Sequence, residues 1–375
     1  MNSGGKTFER LSEELGGFNP ASVESFFYLN NPFQLHHWTM NIVEVLLCIG
    51  AVLAFVHAFK VLRSTGNPVN LSFCVISIGY VFAAEIPIYF PELIGGDPSS
   101  LYFAHNEFSV GLVYARTPLY IVALYPALTY PCYVLVERTG VFHRRWGLIL
   151  GAVSVGFFHH CFYEIFDQFG PQYSWWLWNY DRFNATVASV PLASIFTFSF
   201  VGPLSLTLVT RFFISRYVQK CMASGARVKN WYLASLCVVG SVAVLFPAVL
   251  TAPDTYYQIF LESPPSPKTE KIVSFSLLTL AAIATFSTLF SVPGRKSGKG
   301  IEGENTIGCY PMNFLVAYLL VFAGLWMYAL PEYLSTDNGV TARGTYTGSL
   351  AYVLGCFAIA LLLLCLCNGR RSEHS

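Results

Sequence analysis

Long apolar runs alternate with short polar segments along this chain, and the runs reach the length that a membrane helix requires. About 20 largely apolar residues span the roughly 30 Å hydrocarbon core of a bilayer. We expect each such run to form a transmembrane helix. The nine runs lie near residues 39–60, 70–91, 110–136, 146–166, 186–210, 231–251, 272–292, 312–331 and 347–367.

The composition supports a membrane protein and excludes other classes. Charged residues make up 11% of the chain, whereas soluble domains carry about 25%. The formal net charge is +1, so no basic surface is available to bind nucleic acid. The ten cysteines have no spacing suited to zinc, and no metal site is expected. The expected partner is membrane lipid.

The distribution of basic residues predicts the orientation of the chain. Most of the 22 Lys and Arg residues follow the odd-numbered runs, and cytoplasmic loops are the ones enriched in these residues. The N-terminus is therefore expected outside and the C-terminus in the cytosol. The predicted fold is an all-α polytopic membrane helix bundle at 39–367, with an extracytosolic tail at 1–38 and a cytosolic tail at 368–375.

Several ionisable residues lie inside the predicted spans, where a buried charge costs at least about 2.5 to 3.5 kcal/mol. Such residues are candidates for function. The predicted orientation places all of them in the outer half of the bilayer. They are Glu44, Glu85, Arg116, His159, His160 and Glu164, with Asp167 just beyond the fourth span.

Two spans carry acids at helical spacing, and these acids supply the candidate catalytic residues. His160, Glu164 and Asp167 share one helix face, and Glu85 shares a face with Tyr89 and Glu92. A dehydrated carboxyl group suits general acid or base catalysis. Arg116 completes the set, and we expect it within about 4 Å of an acid of the second or fourth span because a buried guanidinium is otherwise costly. The alternative is that these groups only fix helix packing.

An aromatic segment follows the fourth span and is the candidate ligand-binding region. It contains Trp175, Trp176 and Trp178, and Tyr89 is added from the second span. Tryptophans at a water boundary often form an aromatic belt. The alternative is a lid over an apolar ligand. We predict a pocket between spans two and five, lined by Glu85, Arg116, His160 and Glu164 and roofed by Trp175 to Trp178.

The acids and the aromatic segment also carry a family resemblance. Residues 70–136 and 146–210 suggest a parallel duplication, in which an acid near the end of the first span of each half is followed, after an outer loop, by Arg116-Thr-Pro-Leu or Ser189-Val-Pro-Leu at the start of the second span. Residues of about 80–210 resemble the membrane family of bacterial carotenoid 1,2-hydratases. The matching positions are Glu164, Asp167, Trp176-Leu177-Trp178 and Val190-Pro191-Leu192.

The resemblance implies acid-catalysed chemistry on a double bond of an isoprenoid or another lipid. Glu164 or Glu85 would then donate the proton, Arg116 would set its acidity, and no cofactor would be required. Two alternatives stay open: a proton- or cation-coupled transporter or channel that uses the same acids as a relay, and a structural or receptor-like membrane protein.

Overall fold

The computed structural model describes residues 3–16, 23, 25–90, 101–225, 234–239, 266–291 and 310–369. Within these residues, eight helices are long and apolar enough to cross a membrane. The chain is therefore an all-α, multi-pass membrane protein, as the hydrophobic pattern predicts. The predicted sixth span at 231–251 lies largely outside the described residues, as does Glu92.

One short helix precedes the bundle, and most bundle helices are regular. The N-terminal helix is α1 (Ser3–Glu14). The fifth span is a single helical segment in which π-helical and α-helical stretches alternate: π-helix Ser194–Val201, α6 (Gly202–Val209), π-helix Thr210–Ser215 and α7 (Arg216–Ala223). The other spans are α2 (Trp38–Thr65), α3 (Val69–Tyr89), α4 (Leu119–Arg138), α5 (Gly147–Asp167), α8 (Pro267–Ser291), α9 (Tyr310–Leu334) and α10 (Leu350–Gly369).

Helix α2 shows how local sequence sets the ends of a span. At its start, the His37 side chain accepts a hydrogen bond from the Thr39 N–H, which satisfies one of the free donors of the first turn. At its end, Gly66 adopts a left-handed φ of 69° and its N–H donates to the Leu62 carbonyl. Glycine takes this conformation without a steric penalty, so the helix stops there.

Short antiparallel strands cover one end of the bundle. β1 precedes α2, and the other strands lie between α3 and α4 or between α5 and the fifth span. The pairs are β1 with β3, β3 with β4, β2 with β5, and β6 with β7. The strands are β1 (Phe27–Leu29), β2 (Phe103–His105), β3 (Val110–Leu112), β4 (Thr117–Pro118), β5 (Trp176–Trp178), β6 (Thr186–Val187) and β7 (Val190–Pro191).

These hairpins correct two predicted span boundaries. Spans three and five were expected to begin near 110 and 186, but their helices begin at Leu119 and Ser194. The preceding apolar residues pair as strands, and Val113 to Ala115 have left-handed φ values of 54° to 58°, which are incompatible with a right-handed helix. Hydropathy alone does not distinguish these strands from an added helical turn.

Helix α4 forms the centre of the bundle. Every residue from Tyr120 to Val136 is buried, and the helix packs against α2, α3, α5 and α9. Pro87 lies inside α3, and Pro126 and Pro131 lie inside α4. Such prolines are tolerated in membrane helices because neighbouring groups satisfy the freed carbonyls. The first turn of α4 lies directly beside the site described next.

Candidate functional site

A two-stranded ribbon brings four aromatic side chains together above the ends of α3 and α5. Strands β2 and β5 pair in antiparallel register, with Phe103 opposite Trp178 and His105 opposite Trp176. Because alternate residues of a strand point to the same side, the two tryptophans of Trp176-Leu177-Trp178 face the same way. All four side chains line one cavity.

The cavity lies between this ribbon and the membrane helices. Glu85 comes from α3 and Asp167 from the last residue of α5. The free volume is about 20 Å³, which is room for one or two water molecules. The cavity therefore accommodates a reacting group rather than a whole lipid. The remaining lining residues are apolar or aromatic: Ile121, Tyr163, Phe166 and Phe198.

Several buried polar atoms of the lining residues make no hydrogen bond within the described part of the chain. They are Glu85 Oε2, His105 Nε2, Trp176 Nε1 and Trp178 Nε1. Leaving such an atom unsatisfied costs about 1 to 3 kcal/mol. Native proteins tolerate that cost where a water molecule, an ion or a ligand completes the bonding. Two donors, an imidazole and a carboxyl group thus surround a space in which a polar group would be well bound.

His105 was missed by the sequence reasoning because it was assigned to an outer loop. Its Nδ1 lies 3.3 Å from the Tyr120 hydroxyl of α4, and the side chain is buried. Burial lowers the pKa of His105 to about 3, so the imidazole stays neutral at neutral pH and can form hydrogen bonds to a polar group through Nε2. Three residues, Phe103-Ala104-His105, are too short a run for the sequence pattern to identify a strand.

A π-helix supplies hydrogen bonds to the acidic face of α5. Hydrogen bonds of a π-helix join residues five apart, so such residues face the same side. The Ser194 hydroxyl donates to Asp167 Oδ2 at 2.7 Å, and the Ser199 hydroxyl lies 2.7 Å from His160 Nδ1. Both serines therefore meet α5, where an α-helix would have rotated one of them away.

His160 and Glu164 belong to a second polar cluster and not to the lining of the cavity. The Tyr352 hydroxyl of α10 lies 2.9 Å from His160 Nε2, and His160 Nδ1 lies 3.9 Å from Glu164 Oε1. Gln168 Nε2 donates to Glu164 Oε2 at 3.4 Å. The cluster joins α5 to α10 and to the π-helix, so the predicted single site on α5 is divided into two.

The predicted aromatic residues also divide. Trp176 and Trp178 cover the cavity, but Trp175 packs into the bundle and donates its indole N–H to the Thr39 hydroxyl at 3.0 Å. Tyr89, one turn after Glu85, packs edge-on against Phe103 with ring centroids 5.5 Å apart. Trp175 therefore anchors the loop to the bundle, while Trp176 and Trp178 face the cavity.

The placement of Arg116 corrects the sequence prediction. It lies between β3 and β4, before the start of α4, and not inside a span. The ion pairs within the described residues do not include one between Arg116 and Glu85 or Glu164, and Glu92, the other acid predicted on that face of the second span, lies outside the described residues. The guanidinium donates to the Tyr89 carbonyl and lies against the rings of Phe8 and Phe90, 4.4 and 4.3 Å from their centroids. It joins α1 to the end of α3.

The remaining ionisable residues have structural partners. Glu44, Glu85, Glu164 and Asp167 lie toward the strand-bearing end of the bundle, and the placement of this end in the outer half of the bilayer stays a prediction. Glu44 accepts hydrogen bonds from the backbone N–H groups that begin β3, and His159 Nδ1 lies 2.7 Å from the Ser199 carbonyl oxygen. His57, which the sequence reasoning omitted, lies in the other half of α2, with its Nδ1 2.7 Å from the Tyr130 hydroxyl. Buried ionisable residues are therefore not confined to one half.

Comparisons of this chain with protein-family models, with curated proteins and with solved structures found no match. The resemblance of residues 80–210 to the carotenoid hydratases stays an expectation from short motifs.

Proposed function

We propose that this protein is a membrane enzyme that performs acid-catalysed chemistry on a double bond of an isoprenoid or another lipid. Glu85 and Asp167 serve as the proton donor and acceptor, and His105 binds the polar reactant. The observation that carries the proposal is that both carboxyl groups and a neutral histidine line one small, aromatic cavity.

The lining of the cavity suits the charge that such a reaction develops. Protonation of a double bond creates a cation on carbon, and the faces of Trp, Tyr and Phe rings attract cations. Six such rings line the cavity, those of Phe103, Tyr163, Phe166, Trp176, Trp178 and Phe198. A site that admits few water molecules protects such a cation from side reactions.

The two acids have different surroundings, which favours different roles. Asp167 accepts a hydrogen bond from Ser194 at 2.7 Å, and a carboxylate that accepts such a bond is favoured in its charged form. Glu85 has an oxygen without a hydrogen-bond partner within the described residues, and a desolvated carboxyl group is favoured in its neutral form. Both carboxyl groups are buried, so the Ser194 hydrogen bond is the difference on which we assign Glu85 as the donor and Asp167 as the acceptor.

Amide variants of the acids test this proposal. Wild-type protein and Glu85→Gln, Asp167→Asn and Glu164→Gln variants are reconstituted in vesicles that contain isoprenoid lipids, and products are followed by mass spectrometry. The first two variants should lose activity, because general acid or base catalysis contributes about 10²- to 10⁴-fold. Glu164→Gln is the matched control, because Glu164 is a buried acid of the same helix that does not line the cavity.

A proton or cation relay is the second candidate function. The observation that favours it is the His160–Glu164 cluster, which continues the polar groups along α5 beyond the cavity. The same vesicles report on it through a pH-sensitive dye. Flux that is lost in Glu164→Gln, with no lipid change in any variant, would replace the enzyme proposal with the transporter.

A further inference from the structure

Large apolar side chains are exposed in the segment that leads into α2. Phe33 is 94% exposed, and Phe27 and Leu29 are 52% and 65% exposed. Alternate residues of β1 share a face, so Phe27 and Leu29 point to the same side of the small sheet. Phe26 and Trp38 are exposed at the two ends of this segment. We call residues 26–38 the aromatic platform.

The exposed surface of α2 continues directly from the platform. Trp38 begins a stripe along this helix whose exposed members are spaced by three or four residues, which is one face of a helix. In a membrane helix such a face contacts lipid. The exposed members of the stripe are Ile42, Val45, Ile49, Val52, Val56 and Phe59. The platform therefore lies at the end of a lipid-facing surface.

The composition and hydrogen bonding of the platform suit a partly dehydrated environment. Residues 26–38 contain no Asp, Glu, Lys or Arg. The Asn30 side chain donates to the Phe108 carbonyl at 2.8 Å, and Asn41 donates to the Pro32 carbonyl at 2.8 Å. The Phe33 N–H donates to the Asn31 side chain at 3.0 Å. Backbone groups that are satisfied internally can leave water at lower cost.

We propose that the aromatic platform rests in the headgroup and acyl boundary of the bilayer, with Phe27, Leu29 and Phe33 inserted among the lipids. Aromatic and aliphatic side chains on such a surface bind membranes through the apolar area that they bury. Phe26 also packs edge-on against Tyr114, with ring centroids 6.2 Å apart. Membrane contact would thus hold the β3–β4 hairpin, and with it the start of α4, at the interface.

Site-specific photocrosslinking tests the platform. Benzoylphenylalanine is placed singly at Phe33, at Val52 in the exposed stripe of α2, and at Glu13 on the exposed face of α1. All three side chains are exposed, so the replacements do not disturb the core. The full chain is irradiated in phosphatidylcholine vesicles, and lipid adducts are measured by mass spectrometry.

The expected result is lipid adducts at positions 33 and 52 and none at position 13. Adducts at position 52 alone, or equal yields at positions 33 and 13, would overturn the proposal. The outcome does not depend on the proposed enzyme activity, because the readout is contact with lipid and not product formation.

Discussion

Substitution of Glu44 tests whether this buried acid stabilises the fold rather than taking part in catalysis. Its two carboxylate oxygens accept hydrogen bonds from the backbone N–H groups of Ser109 at 3.1 Å and Val110 at 3.2 Å. Glu44→Gln preserves the volume of the side chain but replaces one acceptor oxygen with an NH₂ donor. That donor would face a backbone N–H, so one hydrogen bond is lost. The other hydrogen bond then has an uncharged amide oxygen as its acceptor.

The expected loss of stability follows from these contacts. A hydrogen bond to a charged group contributes about 1.5 to 3 kcal/mol, and a neutral one about 1 kcal/mol. Glu44 is 6% exposed, so water does not replace the lost partner. Together these effects predict a decrease of about 2 to 5 kcal/mol in the free energy of unfolding. The control is Glu14→Gln, which removes an exposed pair with Arg10 that contributes about 0 to 1 kcal/mol.

Thermal unfolding of the purified protein in detergent, at one fixed scan rate, measures the difference. Glu44→Gln should lower the Tm by several degrees relative to Glu14→Gln. Hydrogen exchange should increase at the amides of β3, which lose their acceptor. The structural assignment fails if both variants have the wild-type Tm. It also fails if Glu44→Gln abolishes product formation while the Tm and the exchange of β3 are unchanged.

Three further outcomes test the site and its supports. Glu85→Gln and Asp167→Asn should each lower product formation by about 10²- to 10⁴-fold, while Glu164→Gln should retain most of it in the same vesicle assay. Burial lowers the pKa of His105 to about 3 from about 6.5, so as the pH falls the unfolded chain binds a proton at this residue before the folded chain does. Stability from this residue is complete above about pH 6.5 and is lost as the pH falls toward 3; His105→Gln should flatten that part of a Tm-against-pH series. A Cβ at Gly156 would lie 2.7 Å from a carbonyl oxygen of the π-helix, so Gly156→Ala should cost about 1 to 3 kcal/mol in thermal unfolding.

Depth along each helix was predictable from the sequence. A helix rises about 1.5 Å per residue, so the position of an acid within an apolar run gives its depth. Glu44 lies near the start of α2, and Glu85 and Glu164 lie near the ends of α3 and α5. The membrane class followed in the same way, because lipid admits only backbone that satisfies its own hydrogen bonds.

The partner of each side chain was decided by the tertiary structure. Asp167 meets Ser194 because a π-helix changes the rotation of the fifth span, and hydropathy does not report helix winding. His105 meets Trp176 because two strands separated by about 70 residues pair in one register. Arg116 meets Phe8 because α1 packs against β2 and so lies beside the β3–β4 hairpin that carries Arg116. A hydrophobic pattern averages over neighbours along the chain, whereas these contacts depend on packing between distant segments.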